Sequence, residues 1–257
     1  MPENHSSRDK LRIILVPIAT IGTIAFNYLA AIGRINNVTP DQISAAYPTL
    51  LTPAGYTFTI WSLIYLGLIA FSIYQLRPQT HSAIRAIRPL YVLSCALNVG
   101  WIYSWHHNQI FLCLILILLL AVTLFLIGSF ISSPGNAKDY WFVKAPFGLY
   151  FGWVTAATLI NFMVWLKSSG YSPAPQWETA LALGLIAAAT ILGIFFRILL
   201  RDYIFPVSIA WALTGIAIEQ TGNTAIIAAS AAGVIASLIA ALSFVLAVPN
   251  KTNPGNI

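Results

Sequence analysis

The sequence predicts an all-α fold, a polytopic membrane helix bundle of about eight transmembrane helices. Three observations carry that reading. Of the 257 residues, 58% are hydrophobic and only 8% charged, too little charge to cover a soluble domain of this length. Mean hydropathy is +0.80, and apolar runs of about twenty residues recur along the chain, each long enough to cross about 30 Å of hydrocarbon as a helix. Turn signals punctuate the runs: Asn36-Asn37 with Thr39-Pro40, Arg77-Pro78, His106-His107, Ser133-Pro134-Gly135 and Ser172-Pro173-Ala174-Pro175.

The spans fall at roughly 11–33, 55–76, 89–105, 109–131, 140–166, 178–199, 202–219 and 224–248. Arg8, Lys10 and Arg12 precede the first run as they would a signal peptide, but the run continues for about twenty residues and no A-x-A site closes it, so it reads as an uncleaved helix. The second is entered through Pro53 and Gly55, one fixing backbone angle and the other permitting close approach. Beyond that entry Phe58, Trp61 and Tyr65 stand at i, i+3 and i+7, on one helical face. In the third, Ser94, Asn98, Trp101 and Trp105 share a face, and in the fifth Tyr150, Trp153, Ala157 and Asn161 follow an equivalent rhythm.

Cys95 and Cys113 fall inside the third and fourth spans and read as small hydrophobes rather than a disulfide framework. The sixth span carries a weak small-residue repeat, Ala180, Gly184 and Ala188. Glu219, Gln220 and Gly222 mark the end of the seventh. The eighth carries two small-residue ridges, Ala228-Ala232-Ala236-Ala240 and Ala229-Gly233-Ser237-Ala241. Such ridges let helix backbones approach closely, within the chain or in a homodimer.

The net charge of +6 and pI near 9.4 point to no nucleic acid in a chain this apolar; in membrane proteins excess Lys and Arg marks cytoplasmic loops. With the N-terminus inside, eleven of the thirteen basic residues fall on the cytoplasmic side, leaving Arg34 and Lys167 on the other. An even number of crossings follows, with both termini cytoplasmic.

Asn98 and Asn161 should lie well inside the bilayer, where a carboxamide facing hydrocarbon lacks partners, so each is expected to face the bundle interior. They read either as interhelical glue, contributing about 0.6 kcal/mol each, or as polar handles in a pocket whose flat walls are the aromatic stripes. His106-His107 reads as a solvated turn, and Arg197, Arg201 and Asp202 as the anchor of a cytoplasmic turn. The sequence has no HExxH, GxSxG or P-loop and no carboxylate pair within a span, so no catalytic residue or metal ligand is nominated.

These stripes resemble the TspO/MBR family, the translocator or tryptophan-rich sensory proteins. The family's proline-rich entry to its second helix is matched by Pro53, Gly55, Tyr56, Phe58, Trp61 and Tyr65, with Pro48 upstream. Its third-helix pattern L-N-x-x-W appears as Leu97-Asn98-Val99-Gly100-Trp101. Its fifth-helix pattern appears between Tyr150 and Asn161, with Trp153, Val154, Thr155, Ala157 and Thr158 in register. The resemblance covers about residues 10–168. It implies a five-helix bundle over 1–168, followed by an additional three-helix membrane segment over 169–257. It also implies that Pro53, Gly55, Phe58, Trp61, Tyr65, Asn98, Trp101, Tyr150, Trp153, Ala157 and Asn161 form the ligand site.

By resemblance the ligand is a flat apolar molecule such as a tetrapyrrole (porphyrin or haem), and the role sensing, stress-regulatory or transport, in contact with membrane lipid. The sequence departs from the pattern at Thr52, Tyr56, Gly152 and Ala156, and no sterol-recognition pattern follows Asn161. The competing readings are a small secondary transporter, which should show internal repeats and interrupted helices, and an intramembrane enzyme, which would need titratable groups at depth.

Overall fold

The computed structural model describes residues 7–77 and 82–243, and every regular element among them is helical. Pro78, Lys251 and the last residues of the eighth span lie outside the described residues. The eight spans correspond to α1 (Ser7–Ala31), α3 (Ile60–Tyr74), α4 (Ser82–His106), α5 (Ile110–Phe130), α7 (Ala145–Ser168), α8 (Pro175–Leu199), α9 (Phe205–Glu219) and α10 (Thr224–Leu242); the short helices α2 (Pro40–Ala46) and α6 (Ala137–Asp139) lie between them. Among the described residues, six helical stretches are long and apolar enough to cross a membrane, and α9 is apolar but shorter. α4 has the length, at 25 residues, but carries Arg85, Arg88, Asn98 and His106, the last three of them buried within the bundle.

α4 begins at Ser82 rather than at Pro89, where its apolar run starts, and Pro89 sits inside the helix. The reason is Arg88, which is fully buried instead of reaching out to water. Its Nε donates to Gln75 Oε1 at 2.8 Å and one terminal nitrogen to the Gln75 carbonyl at 2.9 Å. The other pairs with Asp9 at 2.8 Å. Gln75 in turn donates to the Ile13 carbonyl. The start of α1, the end of α3 and the start of α4 are thus locked at one end of the bundle.

α7 starts at the same end through a π-turn, Tyr140–Lys144. Pro146 has no N–H to give to the carbonyl four residues back, and the Ala145 N–H bonds to Tyr140, five residues back. Asp139 accepts from the Tyr74 hydroxyl at 2.8 Å, tying α6, and the turn that leads into α7, to the end of α3. Buried Lys144 donates to the Ser132 carbonyl at the end of α5. A Cβ on Gly67 of α3 would lie 2.9 Å from Pro146, so these two helices pack backbone to ring.

α9 lies along α7 through two glycines. A Cβ on Gly148 would fall into the Asp202 carboxylate, and one on Gly152 would fall against the Phe205 carbonyl and 2.8 Å from Ser208 Cβ. The Ser208 hydroxyl donates to the Leu149 carbonyl at 2.7 Å. Asp202, in the turn before α9, accepts from the Ile204 and Phe205 amides at 2.9 and 3.4 Å and so satisfies the first N–H groups of the helix. Burial pushes its carboxyl up to about 6, against those two amides and the Lys144 and Arg197 charges, which favour the ionised form. The anchor read from the sequence around Arg197, Arg201 and Asp202 is therefore a buried cap on α9. Arg197 itself reaches the Ala240 carbonyl and Ser243 hydroxyl at the end of α10.

Of the two ridges on α10, the one through Gly233, Ser237 and Ala241 is buried. A Cβ on Gly233 would lie 2.6 Å from both Leu213 and Thr190, so this ridge receives α9 and α8. The weaker repeat on α8 points the other way: Ala180 and Gly184 are exposed, and the buried face is Ala182, Ile186, Ala189 and Gly193.

At the opposite end, residues 32–59 fold over the bundle. Gly33, Asn36 and Asn37 take left-handed backbone angles (φ 70°, 53° and 56°) that glycine and asparagine tolerate best. Thr39 and Pro40 open α2, with the Gln42 side chain accepting from the Thr39 N–H. The Trp105 indole donates to the Pro40 carbonyl and Asn36 to the His106 carbonyl. His106 is consequently not solvated. It is fully buried, with Nδ1 2.8 Å from the Ile102 carbonyl, while His107 stays exposed and stacks on Tyr103.

Candidate functional site

Three aromatic stripes on α3, α4 and α7 converge on Trp61. Its ring centroid lies 5.6 Å from Tyr65, 6.2 Å from Trp101, 5.8 Å from Tyr150 and 6.3 Å from Trp153. Tyr65 and Trp101 lie close to parallel with Trp61, whereas Tyr150 and Trp153 present edges, both being arrangements the ring quadrupole favours. Trp101, Tyr150 and Trp153 are buried; Trp61 and Tyr65 are half-buried. Spacing alone put each stripe on one helix face. Their shared centre comes from packing: the Gly67–Pro146 contact draws α3 onto α7 about 1.7 turns below Trp61.

Two carboxamides back this cluster. Asn161 accepts from the Trp101 indole at 3.2 Å and donates to the Ala157 carbonyl at 2.9 Å, so it holds the α4 tryptophan against α7. Asn98 is fully buried, and its Oδ1 accepts from Asn27 of α1 at 2.7 Å. Its Nδ2 has no partner, and neither does the buried Trp153 Nε1. Around the cluster, Asn98 Nδ2 and Trp153 Nε1 are therefore two buried N–H donors without a partner. Chemically it can accept an apolar ring that carries hydrogen-bond acceptors.

Above the cluster, at the end covered by residues 32–59, lies a cavity of about 550 Å³. Pro53, Gly55 and Phe58 line it from the loop side, together with Asp41; Glu178 at the start of α8, and Glu219 and Gln220 at the end of α9, close the far side. Phe58 joins the two regions, because its ring also lies 6.2 Å from that of Trp153, edge on. The eleven residues expected at the site thus divide into three groups. Pro53, Gly55 and Phe58 border the cavity, Trp61, Tyr65, Trp101, Tyr150 and Trp153 form the ring cluster, and Asn98, Ala157 and Asn161 supply polar backing.

Sequence reasoning missed Asn27, although the argument applied to Asn98 and Asn161, a carboxamide within an apolar span, applies to it unchanged. It also missed the α9 and α8 residues of the cavity. Of these, Glu219 follows Trp211 and Gly215 at four-residue spacing on one face of α9, but α9 is not a motif-bearing helix.

A protein-family model described as TSPO-like protein matches residues 13–245 and so runs through all eight spans. No curated protein and no solved structure matches the chain.

Proposed function

The chain is an integral membrane protein of the TSPO-like protein family, and from that premise we propose that it binds a flat apolar ligand of the tetrapyrrole class, a porphyrin or haem, in a sensing, stress-regulatory or transport role. The observation that carries the reading is the convergence of Trp101, Tyr150 and Trp153 on Trp61, with two buried donors on the same helices, Asn98 Nδ2 and Trp153 Nε1, left without a partner. The ligand enters through the outer cavity and past Phe58, which touches both regions. A porphyrin offers the flat face for the rings and carboxylate or ring acceptors for the donors.

In the free protein the rings contact one another, so binding exchanges ring–ring contacts for ring–ligand contacts. The net worth of one wall is then that of a single large ring, about 1.5–3 kcal/mol. Trp153→Leu and Trp61→Leu are each expected to weaken protoporphyrin binding about tenfold to a hundredfold, read by fluorescence quenching of the purified protein. Trp177 is 66% exposed and outside the cluster, and Trp177→Leu should leave affinity within about twofold of wild type. Equal affinity in all four proteins would reduce the stripes to packing.

The same reading sets both termini on the cytoplasmic side and residues 32–59 on the other, supported by the distribution of eleven of the thirteen basic residues. Reporters fused after Gly170 and at the C-terminus are expected to respond from opposite faces, the second from the cytoplasm. Response from one and the same face would remove this topology.

A further inference from the structure

One face of α9 runs alongside the loop segment 49–58 and is bonded to it at three levels. The Trp211 indole donates to the Thr57 carbonyl at 2.8 Å. One turn on, the Gly215 carbonyl accepts from the Ala54 N–H at 3.0 Å. At the end of the helix, Gln220 Nε2 donates to the Thr49 and Thr52 carbonyls at 3.1 and 3.2 Å. The Thr49–Thr52 turn is also closed on itself, with the Thr49 N–H donating to Thr52 Oγ1 at 2.8 Å and the Thr52 N–H to the Thr49 carbonyl at 3.1 Å. Two carbonyls of one tight turn therefore aim at a single amide, and Leu51 between them is buried. At the middle level there is no slack: a Cβ on Gly215 would fall into the Thr57 side chain.

We propose that Gln220 is the positioning residue of the outer cavity, its amide holding the Thr49–Thr52 turn so that Pro53, Gly55 and Phe58 form the cavity wall. Gln220 reaches the site from the three-helix segment, so the last helices are part of the ligand's entrance. The proposal rests on the reading of that cavity as the way in.

The requirement is for a donor at this point, which separates positioning from bulk. Gln220→Glu keeps the shape and turns the donor into an acceptor facing two carbonyls. Gln220→Met keeps the length and removes hydrogen bonding, and Gln220→Lys restores donors on a similar stem. The full-length protein carrying Leu51→Cys supplies the reporter, read as its rate of maleimide labelling; the native Cys95 and Cys113 are buried and give a low background.

Gln220→Glu and Gln220→Met are expected to raise the labelling rate about tenfold or more, as the loss of two hydrogen bonds to one turn implies, and Gln220→Lys to stay within about threefold of the parent. Trp211→Phe, which keeps the ring and removes the donor at the other end of the segment, should raise it less. Thermal melts identify any variant that is not folded. Labelling unchanged in the Glu and Met variants overturns the assignment, and so does labelling raised equally in the Lys variant. Protoporphyrin titration of the same proteins should weaken in the Glu and Met variants alone. A parent protein that binds no porphyrin would sink the ligand reading and leave the labelling result to decide the role of Gln220.

Discussion

Arg88→Leu is expected to destabilise the bundle by about 3–5 kcal/mol, the usual consequence of removing one partner from a buried charged network. The guanidinium is fully buried and bonds to Gln75 Oε1, the Gln75 carbonyl and Asp9 at 2.8–2.9 Å. Leucine replaces the volume of the stem but leaves those acceptors facing apolar neighbours, at the point where α1, α3 and α4 meet. Arg88→Lys should fall between, since one ammonium cannot reproduce the planar fork that reaches two residues at once. Arg77→Leu is the comparison: Arg77 is exposed, lies over the Tyr74 ring, and its loss should cost less than about 1 kcal/mol. Denaturant unfolding in micelles measures all three. If Arg88→Leu unfolded with Arg77→Leu, the network would be surface decoration.

The contrast between these two arginines shows what was legible in the sequence. Composition and run length set the all-helical membrane class and the eight spans, because lipid demands about twenty apolar residues per crossing whatever the tertiary structure. The aromatic faces of α3, α4 and α7 were legible for a similar reason, being fixed by helix periodicity alone. Arg88 was not. Counting it among loop charges treated all basic residues as alike, and its burial depends on Gln75 and on Asp9, 79 positions away. His106 failed likewise, since its burial depends on Asn36 and α2 folding over the end of α4. The outer cavity joins residues from 41 to 220, and no local pattern announces that meeting.

Gly152 carries the second large effect. Gly152→Leu is expected to destabilise the protein by about 3 kcal/mol or more, at or beyond the top of the range for overpacking. The added carbons would meet the Phe205 carbonyl and Ser208 Cβ, and a backbone carbonyl cannot rotate aside as a flexible side chain can. Relief requires α9 to move off α7, which breaks the Ser208–Leu149 hydrogen bond and draws Trp211, Gly215 and Gln220 away from the loop they hold. The variant should therefore melt early and also label faster at Leu51→Cys. Gly184→Leu is the matched control, because a Cβ there meets nothing within 4 Å; helix propensity makes it neutral or slightly stabilising. Identical melts for the two variants would mean that α9 does not depend on this seam. Gly152 is also one of the positions at which the fifth-span motif departs from the TspO/MBR pattern. That departure is the seat of a later helix: the glycine removes the side chain that would otherwise keep α9, and with it the far wall of the cavity, from reaching the first five spans.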